Sequence, residues 1–331
     1  MPALLAVVLW GVMFSVIADA VRLVDPFNLT AIRYVLATLL LLVLLAWREG
    51  RAGLRFGGRT VEVAVLGSVG FAGFNLFSSV GLTYTQPQHA ALMVALTPLL
   101  TVLVRWIRDG VRPQPVTLAL VAVALAGVAL VITRGRFDTL AAVSVGDLLM
   151  LAAVAGWSIY THGAGRFGAW SPLRYTALSA LTGTVAIVGL TAVADAIGWQ
   201  HVPSPAAVGA AGADLAYVVL AGTVIAALAW NTSVRRLGAA NAALFMNLVP
   251  VTAFGVAMLR GYRPGPAELA GALITIAALV TANLYARGAF TRRPVSADPV
   301  AAGEERPVSA DPVAAREERP AAACGVNAGA V

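Results

Sequence analysis

The chain has no lysine, a single cysteine and few charges of either sign. Only 12% of its 331 residues are charged, against roughly 25% in soluble domains, and every basic residue is an arginine. Cys324 has no second cysteine to pair with, so an internal disulfide is excluded. The cysteine content therefore does not indicate whether the protein lies in an oxidising or a reducing compartment. Nucleic-acid-binding proteins cluster their basic residues on one face. Here the arginines are spread between apolar runs, which argues against that class.

Enzyme signatures are also missing. The patterns H-E-x-x-H, G-x-S-x-G and the P-loop do not occur. The apolar runs offer no activated nucleophile with an adjacent base. The three histidines have no cysteine or carboxylate at ligand spacing in the sequence, which argues against a metal site. We therefore expect neither an enzyme nor a bound metal or cofactor.

Apolar residues dominate the sequence. They make up 59% of it and form ten runs, each long enough to cross a hydrocarbon core of roughly 30 Å as a helix. Because backbone in lipid must satisfy its own hydrogen bonds, these runs predict an all-α integral membrane protein. The predicted spans are approximately 2–20, 27–47, 61–82, 88–104, 115–133, 146–164, 173–194, 213–233, 240–259 and 266–286.

The arginines between the spans predict an orientation. If the N-terminus is cytoplasmic, fourteen arginines fall on the inner side and five on the outer side. We therefore expect both termini in the cytoplasm of a bacterial cell. The first span has no positively charged segment before it, so we expect it to be retained rather than cleaved as a signal peptide.

The region 291–331 differs in character from the rest. The segment "RPVSADPVAAGEE" is followed at once by "RPVSADPVAAREE", a tandem repeat of 13 residues rich in proline, alanine and glutamate. Such a segment has too few large apolar residues to bury a core. We expect a disordered cytoplasmic tail, with a regulatory or partner-binding role as the alternative.

The fourth and ninth spans share one pattern. They contain "AALMVALTPLLTVL" and "AALFMNLVPVTAFG", which place Pro98 and Pro250 near the middle of each span. A proline inside a helix removes the partner of the carbonyl four residues earlier, here that of Val94 or Met246. Irregular backbone at this depth is tolerated when it is buried in protein or faces a wet cavity. A cavity-lining hinge and a packing kink repaired by neighbouring hydroxyls both fit this pattern.

Other elements repeat five spans apart. "LWGVMFSV" in the first span corresponds to "AGWSIYTH" in the sixth, and aligns Trp10 with Trp157. An odd number of spans per unit turns the second unit upside down in the membrane. Inverted repeats of this kind are typical of secondary transporters with a site near the midplane. The sequence therefore predicts ten transmembrane helices in two inverted five-helix repeats, residues 1–135 and 136–290.

Several segments resemble a known family. "WGVMFSV", "GLTYTQPQHAALMVALTPLLTVL" and "GDLLMLAAVAGWSIYT" are similar to segments of drug/metabolite transporters, in particular the bacterial EamA family. The resemblance implies export or exchange of small metabolites and a central cavity lined by spans one, three, four, six, eight and nine. Pro26 and Arg33 fit the family's pattern in the second span. Arg174 follows Pro172 too closely to fit it, so the role of the arginine is not carried over to Arg174.

Polar and aromatic side chains within these spans are the candidates for lining the cavity, because a polar group in lipid needs a reason to be there. Arg33 either snorkels to the interface or binds an anionic group in the cavity. For the remaining candidates, interfacial placement and helix packing are the alternatives. The remaining candidates are Trp10, Asn75, His89, Thr97, Pro98, Trp157, Tyr160, Asn231, Asn247 and Pro250.

We therefore expect a secondary transporter that exports small metabolites, such as amino acids or drug-like compounds, across the bacterial inner membrane by alternating access. Its expected partners are a small-molecule substrate and the lipid bilayer, with a homodimer left open and no nucleic acid. A channel or signalling scaffold without transport chemistry is the alternative, followed by a membrane-embedded enzyme.

Overall fold

The described part of the chain is built from helices. The computed structural model describes residues 2–85, 87–94, 96–110, 112, 114–135, 144–239, 242 and 244–286, and these ranges contain no β-strand. The helices are α1 (Pro2–Ala20), α2 (Pro26–Gly53), α3 (Thr60–Gly81), α4 (Pro87–Val94), α5 (Thr97–Asp109), α6 (Pro115–Thr133), α7 (Val145–Ala164), α8 (Pro172–Ala196), α9 (Pro205–Ala210), α10 (Gly212–Leu237), α11 (Leu248–Leu259) and α12 (Pro266–Ala286).

The all-helical class is confirmed, whereas the number of ten spans is not. Within the described ranges, six helices have the length and hydropathy needed to cross a membrane. They are Pro2–Ala20, Pro26–Gly53, Thr60–Gly81, His89–Asp109, Pro172–Ala196 and Gly212–Leu237. The fifth, ninth and tenth predicted spans contain shorter apolar stretches, Leu118–Val131, Phe245–Leu259 and Pro266–Ala282. α7 is a helix of 20 residues with Asp147 in its first turn. In the ninth predicted span, a 3₁₀ turn, Leu244–Asn247, precedes α11.

Serine and proline residues define the N-terminal ends of several helices. Ser144 caps α7 by accepting a hydrogen bond from the backbone N–H of Asp147, and Ser171 caps α8 in the same way through Arg174. Proline occupies one of the first two positions of α2, α5, α6 and α8, where its missing N–H costs nothing.

The most extensively packed helix pairs join the first half of the chain to the second. They are α3 with α7, α6 with α12, α1 with α10, α3 with α8, α2 with α8 and α1 with α11. Glycines allow some of these backbones to approach closely. A Cβ atom added to Gly127 of α6 would lie 2.7 Å from the carbonyl oxygen of Gly271 on α12, so a larger residue cannot occupy this crossing without movement.

The residues from Met1 to Thr291 form one compact unit. Both predicted five-helix repeats fall within this unit. A second unit, Arg292–Val331, and the whole predicted tail, 291–331, lie outside the described residues.

Candidate functional site

Arg33 is buried among polar groups in the middle of the helix bundle. Only 3% of its surface is exposed, so the side chain does not snorkel to the interface. Its Nε donates to Thr223 Oγ1 of α10 at 2.6 Å, and its Nη1 donates to Asn75 Oδ1 of α3 at 3.1 Å. Nη2 donates to the sulfur of Met13 at 3.3 Å, and the guanidinium lies 5.0 Å from the ring centroid of Tyr34. These contacts connect α2 to α1, α3 and α10.

The charge of Arg33 has no ionic partner among the described residues. None of their carboxylates lies within 4.0 Å of its guanidinium. A guanidinium carries five N–H groups, and the described hydrogen bonds use three of them. Burying an unpaired cation is costly. Two N–H groups of this buried guanidinium therefore have no partner among the described residues.

Tryptophan rings form the wall beside this cation. The ring centroids of Trp10 and Trp157 are 5.5 Å apart in an edge-to-face arrangement, and those of Trp10 and Trp230 are also 5.5 Å apart. Trp10 Nε1 donates to the carbonyl oxygen of Gly222 at 3.0 Å. The indole nitrogens of Trp157 and Trp230 are buried without a hydrogen-bond partner in the described part of the chain. They remain available as donors inside the protein.

Arg33, Trp10 and Trp157 line a small central cavity. Its volume is about 30 Å³, enough for one or two water molecules. An organic substrate therefore requires the cavity to expand. It is lined by Trp10, Met13, Phe14, Arg33, Tyr34, Phe71, Phe74, Asn75, Val94, Trp157, Gly222, Thr223, Ala227 and Met246.

Two π-helical segments hold the polar partners of Arg33. They are Ser68–Gly73 in α3 and Leu220–Ile225 in α10. Asn75 follows the first segment, and its Nδ2 donates to the carbonyl oxygen of Phe71 at 2.8 Å. Thr223 lies in the second segment and donates to the carbonyl oxygen of Val218 at 2.6 Å. Such segments are rare and frequently occur at functional sites.

Both candidate prolines stand at the start of a helix rather than inside a continuous one. α4 ends at Val94, and Pro98 lies in the first turn of α5. The hydroxyl of Thr97 donates to the carbonyl oxygen of Val94 at 2.5 Å. This carbonyl is therefore hydrogen-bonded, whereas a proline in the middle of a continuous helix would have left it without a partner. This contact is the hydroxyl repair that the packing-kink alternative predicted. Pro250 is buried near the start of α11, and the side chain of Pro98 lies outside the described part of the chain.

Tyr160 and Asn231 form a second polar layer behind the aromatic wall. Asn231 Nδ2 donates to the hydroxyl of Tyr160 at 2.9 Å and to Thr176 Oγ1 at 2.7 Å. The ring of Tyr160 stacks on Tyr175 with centroids 5.1 Å apart and also contacts Trp157. Neither Tyr160 nor Asn231 lines the central cavity. Their contacts instead support the tryptophans that do.

Asn247 and Thr97 are buried near the two helix breaks without lining the cavity. Neither the amide oxygen nor the amide nitrogen of Asn247 has a hydrogen-bond partner among the described residues. An unpaired buried amide costs roughly 1–3 kcal/mol. Asn247 therefore has capacity for a ligand or a water molecule that the surrounding side chains do not use.

The structure places His89 away from the cavity, beside a buried carboxylate. Its Nε2 lies 3.4 Å from Glu268 Oε1 on α12, and Arg134 Nε lies 3.4 Å from the same oxygen. His162 contacts Asp109 at 3.4 Å in the same manner. His89 of α4 thus contacts α12, and His162 of α7 contacts the last residue of α5. Sequence spacing could not reveal these pairs, because their partners come from distant helices.

The described ranges bring no three histidine, cysteine or acidic residues together as a metal site would require. The cavity is lined by an arginine and aromatic rings. The sequence profile of the EamA-like transporter family matches residues 1–133 and again 144–284. The chain belongs to this family.

Several proteins are similar to this EamA-family transporter. It is 32% identical to "Uncharacterized transporter YrdR" of Bacillus subtilis over 86% of this chain and 90% of that one. It is 28% identical to "Probable terminal-alkyne amino-acid exporter" of Streptantibioticus cattleyicolor over 67% of this chain and 72% of that one. A solved crystal structure shares the fold, with a TM-score of 0.63 and 23% identity over 86% of this chain and 96% of that one.

The EamA-family chain therefore brings Trp10, Asn75, Trp157 and Arg33 to the cavity. The other candidates whose side chains are described, His89, Thr97, Tyr160, Asn231, Asn247 and Pro250, lie outside its lining. Sequence reasoning missed Thr223, the 2.6 Å partner of Arg33. Thr223 could have been found, because it is a polar residue in the eighth predicted span, which was expected to line the cavity. The contribution of Met13 carried no such signal, because methionine is common in apolar cores.

Proposed function

We propose that this EamA-family protein is a ten-helix secondary transporter that exports small organic metabolites across the bacterial inner membrane by alternating access. Its repeats, residues 1–135 and 136–290, would have opposite orientations, with both termini in the cytoplasm. The fourteen inner and five outer arginines support this orientation. The relative named as a terminal-alkyne amino-acid exporter supports export and an amino-acid-like substrate.

Corresponding contacts in the two repeats support the inverted arrangement. Met13 and Tyr160 occupy equivalent positions, each three residues after the tryptophan of its repeat. Met13 packs on Gly222 in the π-helical segment of α10. Tyr160 packs on Gly70 in the π-helical segment of α3. Each repeat thus supplies one glycine to receive a side chain from the other, as a twofold relation requires.

The buried charge of Arg33 is the observation that carries the substrate site. Charged groups inside membrane proteins mark substrate and ion pathways. A carboxylate on the substrate would accept hydrogen bonds from the two N–H groups that the described contacts leave unused. The apolar part of the substrate would then lie against Trp10 and Trp157. Amino acids and other small carboxylates have this combination of groups.

The small cavity and the broken spans support a carrier rather than a channel. A channel conducts through a continuous pathway, whereas this cavity has a volume of about 30 Å³, too small for an organic metabolite. Helices bend most readily where the regular hydrogen-bond ladder is already interrupted. Such interruptions occur before Pro98, before Pro250 and in the two π-helical segments. We propose that bending there opens the cavity to one side of the membrane at a time.

Export by cells and transport by the reconstituted protein test the proposal in two stages. Cells with and without the protein are first compared for export of, and resistance to, a panel of amino acids and small carboxylic acids. Each compound that responds is then tested in proteoliposomes beside its carboxamide. Arg33→Gln should reduce transport of the carboxylate about tenfold to one hundredfold, because a charged hydrogen-bonded pair is lost. Arg33→Lys should retain part of it.

Arg105→Gln, an exposed arginine on α5, is the matched control and should transport normally. Wild-type rates in Arg33→Gln, or equal transport of the carboxamide, would contradict the carboxylate site but leave the carrier intact. If no compound in the panel depends on the protein for export, the transport proposal itself is contradicted.

A further inference from the structure

A second, larger concavity opens at one end of the helix bundle. It lies between the last turns of α2, the last turns of α10 and the start of α8, and its volume is about 650 Å³. It shares no lining residue with the central cavity. Arg48, Arg235 and Arg236 form its rim, while Leu44, Leu173 and Leu228 lie within it. We call this feature the arginine-rimmed groove.

The groove changes from apolar to basic along the direction of the membrane normal. On α2, Leu44 stands one helical turn before Arg48, which lies near the helix end. On α10, Leu228 precedes Arg235 by about two turns in the same direction. In the proposed orientation, Leu44 and Leu228 would face the hydrocarbon core, and the arginines would lie at the level of the lipid headgroups. Leu173, in the first turn of α8, lies at the same end as the arginines.

The rim carries a net positive charge that the protein does not neutralise. Among the described residues, no carboxylate lies within 4.0 Å of Arg48, Arg235 or Arg236. Arg235 Nη1 donates to the carbonyl oxygen of Trp170 at 2.8 Å, which fixes its guanidinium over the groove. Glu49 is the acidic residue in the lining, and it accepts a hydrogen bond from the hydroxyl of Ser171.

The start of α8 adds to the attraction for an anion. Ser171 and Pro172 lie at the N-terminal end of this helix, and both line the groove. The N-terminal end of a helix carries a partial positive charge. Three arginines and a helix N-terminus therefore surround a space whose inner wall is aliphatic.

We infer that the arginine-rimmed groove binds an anionic phospholipid, with the phosphate on the arginines and an acyl chain along the leucines. Guanidinium groups match phosphate oxygens in geometry and charge. Basic pockets between transmembrane helices recognise anionic lipid headgroups. A soluble phosphate would satisfy the rim but leave the leucine wall without a partner. Arginines scattered singly at an interface would not enclose a space of this size.

Thermal unfolding of the purified full chain in detergent, with added lipid, tests this inference. Dioleoyl phosphatidylglycerol should raise the unfolding temperature more than dioleoyl phosphatidylcholine, which has the same chains and a zwitterionic headgroup. In R48Q/R235Q/R236Q the apparent affinity for phosphatidylglycerol should fall about one hundredfold, at about fivefold for each arginine. R48K/R235K/R236K should keep most of the preference, and high salt should weaken it.

The matched control is R105Q/R108Q/R112Q, which removes three exposed arginines elsewhere. This control should bind phosphatidylglycerol as the wild type does. The inference is overturned if the wild type does not distinguish the two lipids, or if the control loses as much affinity as the groove variant. Full stabilisation by inorganic phosphate alone would also overturn it, because the acyl chain would then be unnecessary. If the triple variant does not fold, R236Q alone should show the fivefold loss.

Discussion

Replacing Gly70 by alanine should destabilise the protein, because the new methyl group meets a side chain that cannot move aside. A Cβ atom at Gly70 would lie 2.5 Å from Cγ and 2.9 Å from Cδ2 of the Tyr160 ring. The ring is held by its stacking on Tyr175 and by the hydrogen bond from Asn231. Overpacking of this kind costs roughly 1–3 kcal/mol. A helical Gly→Ala change gains roughly 0.5–1 kcal/mol, so the net loss should be about 1–2 kcal/mol.

Gly222→Ala provides the matched comparison in the other repeat. A Cβ atom there would meet Met13, with 2.5 Å to its sulfur and 3.2 Å to Cγ. A methionine side chain is flexible and can move aside. We therefore expect little change in stability. The same sulfur accepts a hydrogen bond from Arg33, so substrate affinity should change more than stability does.

The assay is thermal unfolding of the three purified variants Gly70→Ala, Gly222→Ala and Gly189→Ala in one detergent. A Cβ atom at Gly189 would meet nothing within 4 Å, so this variant isolates the helix-propensity gain. One kcal/mol corresponds to a shift of roughly 2–4 °C in a chain of this order of size. Gly70→Ala should therefore unfold several degrees below Gly189→Ala. If the two variants unfold together, the close packing of Tyr160 against α3 is wrong.

Four further outcomes follow from other parts of the molecule. Asn247→Leu should unfold at or above the wild-type temperature, because its amide has no described partner to lose, while transport should fall if the amide contacts substrate. Glu268→Gln should lower the unfolding temperature, because it breaks a buried charge cluster that includes His89; an unchanged temperature would contradict that role. Deleting 291–331 should leave folding and transport intact. In the full chain, an impermeant thiol reagent should label Cys324 only after cells are opened, and labelling of intact cells would contradict a cytoplasmic C-terminus.

The sequence predicted the helical class and the family because both depend on composition and order along the chain. Apolar runs with few charges require helices in lipid, whatever their tertiary partners. The number of spans was less certain, since it depends on where helices break. The residues before Pro98 and Pro250 fold as separate short elements, and a hydropathy pattern does not distinguish such a pair from one continuous helix.

The site was predicted in part, because depth in the membrane can be read from sequence but the direction of a side chain cannot. Arg33 could snorkel or face inward until its partners on α3 and α10 were known. Asn75 and the tryptophans were found because such residues are rare in apolar spans. His89 was placed in the cavity on the same reasoning, but it lies beside Glu268, which comes from a helix remote in sequence.

The pairing of helices across the two halves has a consequence for synthesis. The most extensively packed pairs, such as α6 with α12, α3 with α7 and α1 with α10, all join a helix made early to one made late. When translation reaches residue 135, the inserted helices therefore lack their main native neighbours. Their glycine-lined faces must remain in contact with lipid until the helices of the second half have been inserted. Two separately expressed halves should each be short-lived, and each should persist when the other is made in the same cell.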